Sequence, residues 1–145
     1  MVLTPSGFIT RDVRDDNKKL IGVFAQETIV WDGTIATTPF PNTTANAGIL
    51  AQALEGKPFR VKRMTVYGSI VTGAVNITPF YNYPETSTVA YADDTSQITD
   101  DKALRFDFDG VFKIDKRSYL TPFGYLAVTP AASDATTSYW WFEVI

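Results

Sequence analysis

The sequence contains no cysteine and no histidine among its 145 residues. Without cysteine there is no disulfide, no thiolate nucleophile and no zinc–thiolate or iron–sulfur site. Without histidine the commonest general base and metal ligand is missing, together with every Ser/His/Asp and Cys/His catalytic arrangement. Because these absences remove most routes to catalysis, we expect a protein that is not an enzyme and that holds no cofactor and no metal.

Long apolar runs and a basic excess are also missing. No stretch approaches the roughly 18–20 apolar residues of a membrane helix, and the opening MVLTPSGFITRDVRDD lacks the basic start and apolar core of a signal peptide. We therefore expect synthesis in a cytoplasm without a signal peptide, and no membrane partner. The net charge of -3 argues against nucleic acid as a partner, since nucleic-acid binders normally carry a basic excess.

What the sequence does have is a hydrophobic period of two, the pattern of half-buried strands. The alternating run LRFDFD is followed by Asp109-Gly110, which predicts either a hairpin turn or a single strand with a bulge. In PFRVKRMTVYGSIV the apolar parity shifts by one residue, which predicts a bulge near Lys62–Arg63. Pro79 cannot donate a ladder hydrogen bond, so its strand is predicted to lie at an edge or to be interrupted.

Only one window has helical spacing. ANAGILAQALEGK clusters apolar residues at i, i+1, i+4 and i+5 before Gly56, which predicts one short helix near residues 46–55. Many strands with little helix predict an all-β protein, and we expect a single antiparallel β-sandwich of jelly-roll character. Periodicity leaves immunoglobulin-like and barrel strand orders open. The length favours one domain over residues 1–145, with residues 1–18 as an extended N-terminal arm.

The chain ends on SYWWFEVI, a strand with apolar residues on both faces. One face would carry Trp140, Phe142 and Val144. The other would carry Tyr139, Trp141 and Ile145, which we expect to form an oligomer interface because aromatic residues are enriched in interface cores. Burial of this second face under a loop or the helix is the alternative.

Two further sets of residues are candidates for binding. The densest basic run contains Arg60 and Lys62 together with Lys57 and Arg63. Arg60 and Lys62 are candidate docking charges for an acidic protein surface, although basic residues also protect strand edges against unwanted pairing. The acidic stretch DDTSQITDD offers oxygen ligands for calcium but lacks the spacing of an EF-hand loop, so a solvated loop is the favoured interpretation.

Aromatic side chains could instead bind sugar by stacking. Trp31 lies in the turn WDGT, and Tyr81 and Tyr83 lie in a tyrosine-rich strand. Burial in the core is the competing role for all three, because aromatic residues suit a pleated, half-buried surface.

The size, the threonine- and aromatic-rich strands and the missing catalytic residues resemble small β-sandwich proteins of virions, particularly the decoration or cement proteins of tailed-phage capsids. The resemblance implies a structural protein made in the host cytoplasm, which forms a homo-oligomer, commonly a trimer, and sits at the virion surface on a capsid or other protein lattice. The alternative is a carbohydrate-binding or receptor-binding β-sandwich module, including a tail or surface component of a virion.

Overall fold

The described part of the chain forms ten strands and one helix. A computed structural model describes residues 4–31, 33, 37–40, 43–54, 56–71, 73–82, 89–92, 96–113, 123–128 and 134–145. In chain order the elements are β1 (Thr4–Arg14), β2 (Leu20–Val30), β3 (Thr37–Phe40), α1 (Thr44–Leu54), β4 (Pro58–Ser69), β5 (Ala74–Asn82), β6 (Val89–Ala92), β7 (Ser96–Thr99), β8 (Lys102–Lys113), β9 (Phe123–Val128) and β10 (Ala135–Val144). The predictions of an all-β protein and of one short helix are both confirmed.

The strands form two antiparallel sheets. The first has the order β1-β2-β10-β4-β8, and the second has the order β3-β9-β5-β6 with β7 also paired to β5. The pairings are nested along the chain: β2 pairs with β10, β3 with β9, β4 with β8, and β5 with β6 and β7. The terminal strand β10 therefore lies in the middle of the first sheet, between β2 and β4.

The local irregularities follow from the residues that cause them. The register of β4 shifts between Val61 and Arg63 against both neighbours, which confirms the predicted bulge. The residues around Asp109-Gly110 continue within β8, so the hairpin alternative is wrong and the bulged single strand is correct. Pro79 pairs with β9 on one side, whereas the pairings with β7 and β6 end at Ile77 and resume at Phe80. The interruption lies where proline cannot donate.

Residues 4–14 of the predicted N-terminal arm form β1, which pairs with β2 at the edge of the first sheet. Its register shifts between Ser6 and Ile9, next to Gly7 with φ of 62°. The single-domain expectation stays a prediction. In the part of the chain that the structure describes, no helix has the length and apolar character needed to cross a membrane.

The core lies between the two sheets and is rich in aromatic rings. From the first sheet, Trp140 and Phe142 are almost fully buried. Phe40 of the second sheet stacks on Trp140 with ring centroids 4.9 Å apart, and Phe59 packs edge-on against Phe142 at 5.8 Å. At about 25 cal/mol per Å² of apolar surface, such large side chains dominate the stabilisation of a small sandwich.

Helix α1 closes one side of this core. Thr43 accepts a hydrogen bond from the backbone N–H of Asn46 at 3.2 Å and so caps the start of the helix. The Asn46 side-chain amide donates to the buried carboxylate of Glu27 on β2 at 3.1 Å. Leu50 and Leu54 are buried in the core, so the helix is held both by packing and by a polar contact to the first sheet.

Hydrogen bonds at both ends hold the C-terminal strand in place. The backbone N–H of Trp31 donates to the carbonyl of Asp134 at 2.8 Å, and the Asp134 carboxylate accepts from the N–H of Val71 at 2.7 Å. At the other end the N–H of Ile145 donates to the carbonyl of Pro58 at 3.0 Å. Inside the core the Trp31 indole N–H donates to Thr136 Oγ1 at 3.0 Å.

The Thr136 hydroxyl makes a test of this buried polar contact. Thr136→Val keeps the shape of the side chain but removes the acceptor of the Trp31 indole N–H inside the core. We expect the free energy of unfolding to fall by about 1–3 kcal/mol, measured by urea denaturation.

The neighbouring Thr137→Val is the matched control, because Thr137 is only half-buried and bonds to Thr28 at 2.7 Å. Its effect should stay within about 0.5 kcal/mol. If the free energy of unfolding fell equally in the two variants, the buried hydrogen bond would contribute no more to stability than the half-buried one.

Candidate functional site

The outer face of the first sheet carries a row of two aromatic residues between two arginines. The register places Arg11 of β1 opposite Phe24 of β2, Phe24 opposite Trp141 of β10, and Trp141 opposite Arg63 of β4. With strands about 4.8 Å apart, the four residues span about 14 Å across the sheet. We call Arg11, Phe24, Trp141 and Arg63 the aromatic row.

The aromatic pair is packed into one platform. The ring centroids of Phe24 and Trp141 lie 4.5 Å apart at an interplanar angle of 35°. The Trp141 ring lies over Gly22, where an added Cβ would clash with the indole. Arg11 lies 5.8 Å from the centroid of Phe24, within the range of a cation–π contact. The glycine therefore lets the indole lie flat on the sheet.

Tyr139 lies two residues before Trp141 on β10. It extends the platform along that strand and is 43% exposed. One groove, of about 400 Å³, lies between Tyr139 and Phe24 on the β1 side, with Ile9, Arg11 and Gln26 along its wall. A second, of about 330 Å³, lies on the β8 side and is lined by Trp141, Arg63, Thr65 and Arg105 together with the same two rings. The face thus offers apolar rings with polar and cationic groups on both sides.

Most charges around this face are paired. The described part of the chain holds ion pairs between Arg14 and Asp12 at 3.2 Å, Arg60 and Glu143 at 3.6 Å, and Arg105 and Asp107 at 3.2 Å. All are partly exposed, so each contributes at most about 1 kcal/mol. No ion pair within that part involves Arg11 or Arg63, although Asp107 of β8 lies directly opposite Arg63 in the register.

The turn between β7 and β8 presents two carboxylates at a corner of the sheet. Asp100 accepts a hydrogen bond from the N–H of Ile70 at 3.0 Å, and Asp101 accepts one from the Tyr67 hydroxyl. The bond to Asp101, with the negative charge of that carboxylate, raises the pKa of Tyr67 above 10.0. We call Asp100 and Asp101 the acidic corner.

The predicted interface residues are brought together only in part. Tyr139 is exposed, Trp141 is half-buried on the same face, and Ile145 is 57% exposed at the end of the chain beside Pro58. Trp140 and Phe142 point into the core. The predicted division of SYWWFEVI into two faces is therefore what the structure has, and no loop or helix among the described residues covers the outer face. That a second subunit covers it stays a prediction.

The predicted docking charges lie next to the aromatic row. Arg60 pairs with Glu143, and Lys62 lies in the bulge of β4 and is half-buried. Sequence reasoning missed Phe24 and Arg11 and did not separate Arg63 from the rest of its basic run. Phe24 is the one aromatic residue of β2 and stands between Gly22 and Gln26 on its side of the strand, and this ring beside a glycine and a polar residue was the available signal.

The predicted sugar-stacking set needs one correction. Trp31 is only 2% exposed and its indole bonds to Thr136, so its face cannot stack on a ligand, and this prediction is wrong. Burial of the ring in the core outweighed its position in a turn sequence. Tyr83 and the Tyr81 side chain lie outside the described residues, and so does much of the acidic stretch. Among the residues that are described, no three acidic side chains cluster closely enough to hold a metal ion.

Comparison with known proteins yields only weak likeness. No family model matches the chain, and no curated protein matches its sequence. Among solved structures it resembles peruvianin-I, a cysteine peptidase from Thevetia peruviana latex, with a TM-score of 0.35 and 11% identity over 97% of this chain and 67% of that one.

Two other structures illustrate the range of the likeness. The CBM22-1–GH10 modules of Clostridium thermocellum xylanase 10B give a TM-score of 0.31 and 10% identity, over 99% of this chain and 26% of that one. The structure of infectious bursal disease virus gives a TM-score of 0.28 and 10% identity, over 99% of this chain and 40% of that one. The chain spans well under half the length of these two structures. This is a weak structural resemblance to a virion protein and to β-sandwich modules, and it assigns no function.

The packing of Trp141 on Gly22 can be tested by a double-mutant cycle. Gly22→Ala forces the indole off the sheet, and we expect it to lower the free energy of unfolding by about 1–3 kcal/mol. In a Trp141→Ala background the same change should cost much less, because the clash is gone.

The coupling free energy between the two changes, measured by urea denaturation, should therefore be about 1 kcal/mol or more. Additive effects would show that the ring does not rest on the glycine. Met64→Leu, a change confined to the buried face of β4, is a control for general weakening of the sheet and should show additivity with Gly22→Ala.

The corner contact predicts the titration of Tyr67. Asp101→Asn removes the negative charge beside the phenol, so the pKa of Tyr67 should fall toward 10.0. Because the raised pKa favours the neutral phenol in the folded state, its stabilising effect is present below pH 10 and is lost as the pH rises above it.

This shift is measured by recording the phenolate absorbance as a function of pH. The Tyr67→Phe variant identifies which part of the absorbance change belongs to Tyr67. A titration curve that Asp101→Asn leaves unchanged would contradict the assignment of the cause to Asp101.

Proposed function

We propose that this chain is a non-enzymatic structural protein that forms a homo-oligomer, with a trimer favoured, and docks on a larger protein assembly. The virion surface is the proposed location, reached after synthesis in the host cytoplasm, and a capsid decoration protein is the proposed role. The outer face of β10 supports this most directly. It carries Tyr139 and Trp141 in the middle of a sheet whose other face already forms the core.

The topology supports a jelly roll as the form of the sandwich. Strands β2 to β5 make one arm of a long folded hairpin, and β6 to β10 make the other. Folding such a hairpin so that β10 meets β4 and β9 meets β5 produces two sheets joined by Greek-key connections. Capsid proteins are among the uses of this architecture, although a fold by itself does not define a function.

The exposed apolar surface supports assembly on energetic grounds. Phe24, Tyr139 and Tyr67 are each about two-fifths exposed on one side of the first sheet. Large aromatic rings are costly to leave in water and are the residues that most often anchor interfaces. We propose Tyr139, Trp141 and Ile145 as parts of the subunit interface. Arg60 and Lys62 are then the charges that dock on the lattice, beside that interface.

A second candidate function is carbohydrate or receptor binding by the same face. The observation that favours it is the pair of grooves at Tyr139, because exposed rings with arginine, glutamine and threonine around them can stack on a sugar and bond to its hydroxyls. Binding on a glycan array by a monomeric protein, lost in Tyr139→Ser, would favour this function over assembly.

Native mass decides between the two functions. Light scattering after size exclusion should give about three times the 16.1 kDa of one chain. Tyr139→Ser should shift the protein to monomer, because it removes an exposed ring from the proposed interface.

Ile49→Ser is the matched control for this variant. Ile49 is exposed to a similar degree, 48% against 43%, but lies on α1 away from this face, so the change should leave the mass unaltered. A monomeric wild-type protein, or a Tyr139→Ser variant of unchanged mass, would contradict the proposed assembly.

A further inference from the structure

The symmetry of the aromatic row restricts how two copies can meet. Read across the sheet it is arginine, aromatic, aromatic, arginine. If two copies stacked this face on itself about a twofold axis that superposes their aromatic pairs, an arginine of one copy would lie against an arginine of the other. Such like-charge contacts are unfavourable where water is excluded. Contact of the aromatic pair with its own copy about that axis is therefore disfavoured, and a negatively charged surface complements the two arginines.

The chain itself offers one such surface. Among the exposed carboxylates that the structure describes, Asp12 and Asp107 are ion-paired with arginines, and the half-buried Glu143 is paired with Arg60. The turn with Asp15 and Asp16 is followed by Asn17 and then by two lysines, so residues 15–19 carry no net charge.

The acidic corner differs from those groups. Its two carboxylates are exposed, accept hydrogen bonds from uncharged donors, and form no ion pair within the described residues. The sequence from residue 93 to 101 contains four aspartates and no basic residue, and one lysine, Lys102, follows the corner directly.

The two surfaces lie at different places on the sandwich. The aromatic row crosses the middle of the first sheet from β1 to β4. The acidic corner precedes β8, the edge strand of that sheet, and is fixed there by the bond between the Asp101 N–H and the Gly68 carbonyl at 3.0 Å. Two unlike surfaces of one chain can pair reciprocally across a twofold axis, or once per copy around a ring, which closes when the rotation between copies is a simple fraction of a turn.

We propose that the aromatic row of one copy receives the acidic corner of the next copy, so that the homo-oligomer is built from contacts between these two unlike surfaces. This inference rests on the proposed assembly function and adds to it the chemistry of the contact. Phe24 and Trp141 supply the apolar contact. Arg11 and Arg63 pair with Asp100 and Asp101 of the neighbouring copy, and these charges set the register of the contact.

Charge exchange within one chain tests the pairing. Arg63→Glu and Asp101→Lys each place like charges opposite each other, so each should weaken self-association about tenfold or more in sedimentation equilibrium. The double variant restores opposite charges with their positions exchanged, so it should recover association to within a few-fold of the wild type. Recovery cannot come from a folding defect, which a second charge change would only increase.

Two controls accompany this series. Arg14→Glu makes the same charge change on β1 outside the aromatic row and should leave the association constant unchanged. Raising the salt from about 0.1 M to about 1 M, which shortens the Debye length from about 10 Å to about 3 Å, should weaken the wild-type oligomer but should affect a variant lacking both row charges, Arg11→Gln/Arg63→Gln, much less.

The outcomes separate this inference from the function on which it rests. A stable oligomer that ignores Arg63→Glu, Asp101→Lys and salt would overturn the contact between row and corner and leave assembly standing. A monomeric wild-type protein would overturn both.

A further assay detects a ligand of the aromatic row other than a second copy of this chain. The wild-type protein is assayed with a Glu/Tyr copolymer and with a hyaluronan oligosaccharide as probes. If Arg63→Glu leaves the mass unchanged but abolishes binding of either probe, the row belongs to an acidic partner other than this chain, and the proposal is wrong.

Discussion

Placement of the C-terminal strand at the centre of the first sheet is the constraint on which the remaining structure depends. β10 forms ladder hydrogen bonds with β2 and with β4 along almost its whole length, so the first and last thirds of the chain are joined through it. Its inner face supplies Trp140 and Phe142 to the core, where they contact rings of the second sheet and of β4. Without this strand the first sheet would separate into two hairpins, each with an open edge and half a core.

The same placement generates the outer face. Side chains alternate along a strand, so a strand that must be apolar inward is free to carry any residue outward. Here the outward residues are also aromatic, and the neighbouring strands match them with Phe24, the bare backbone of Gly22 and the arginines of the aromatic row. These residues come from four strands, of which only β1 and β2 are consecutive in the sequence. The face is thus a product of register.

The sequence predicted features that depend on near neighbours and missed those that depend on register. The helix, the bulge at Lys62–Arg63 and the two faces of SYWWFEVI could be predicted, because each is encoded within about a dozen consecutive residues. The meeting of Phe24 with Trp141, or of Asp101 with Tyr67, could not, since no local period specifies which strands are neighbours. Trp31 was misassigned for a related reason: its turn sequence suggested exposure, whereas the end of β10 lies beside it and buries the ring.

Gly7 has a consequence for how large any assembly of this protein can become. Together with the shifted register between Ser6 and Ile9, its left-handed backbone distorts β1, one edge of the first sheet. The opposite edge strand, β8, is irregular where β4 bulges. Distorted edges are poor templates for an incoming strand. Growth by continuous hydrogen-bonded extension of the first sheet, one route to fibres, is therefore obstructed at both of its edges.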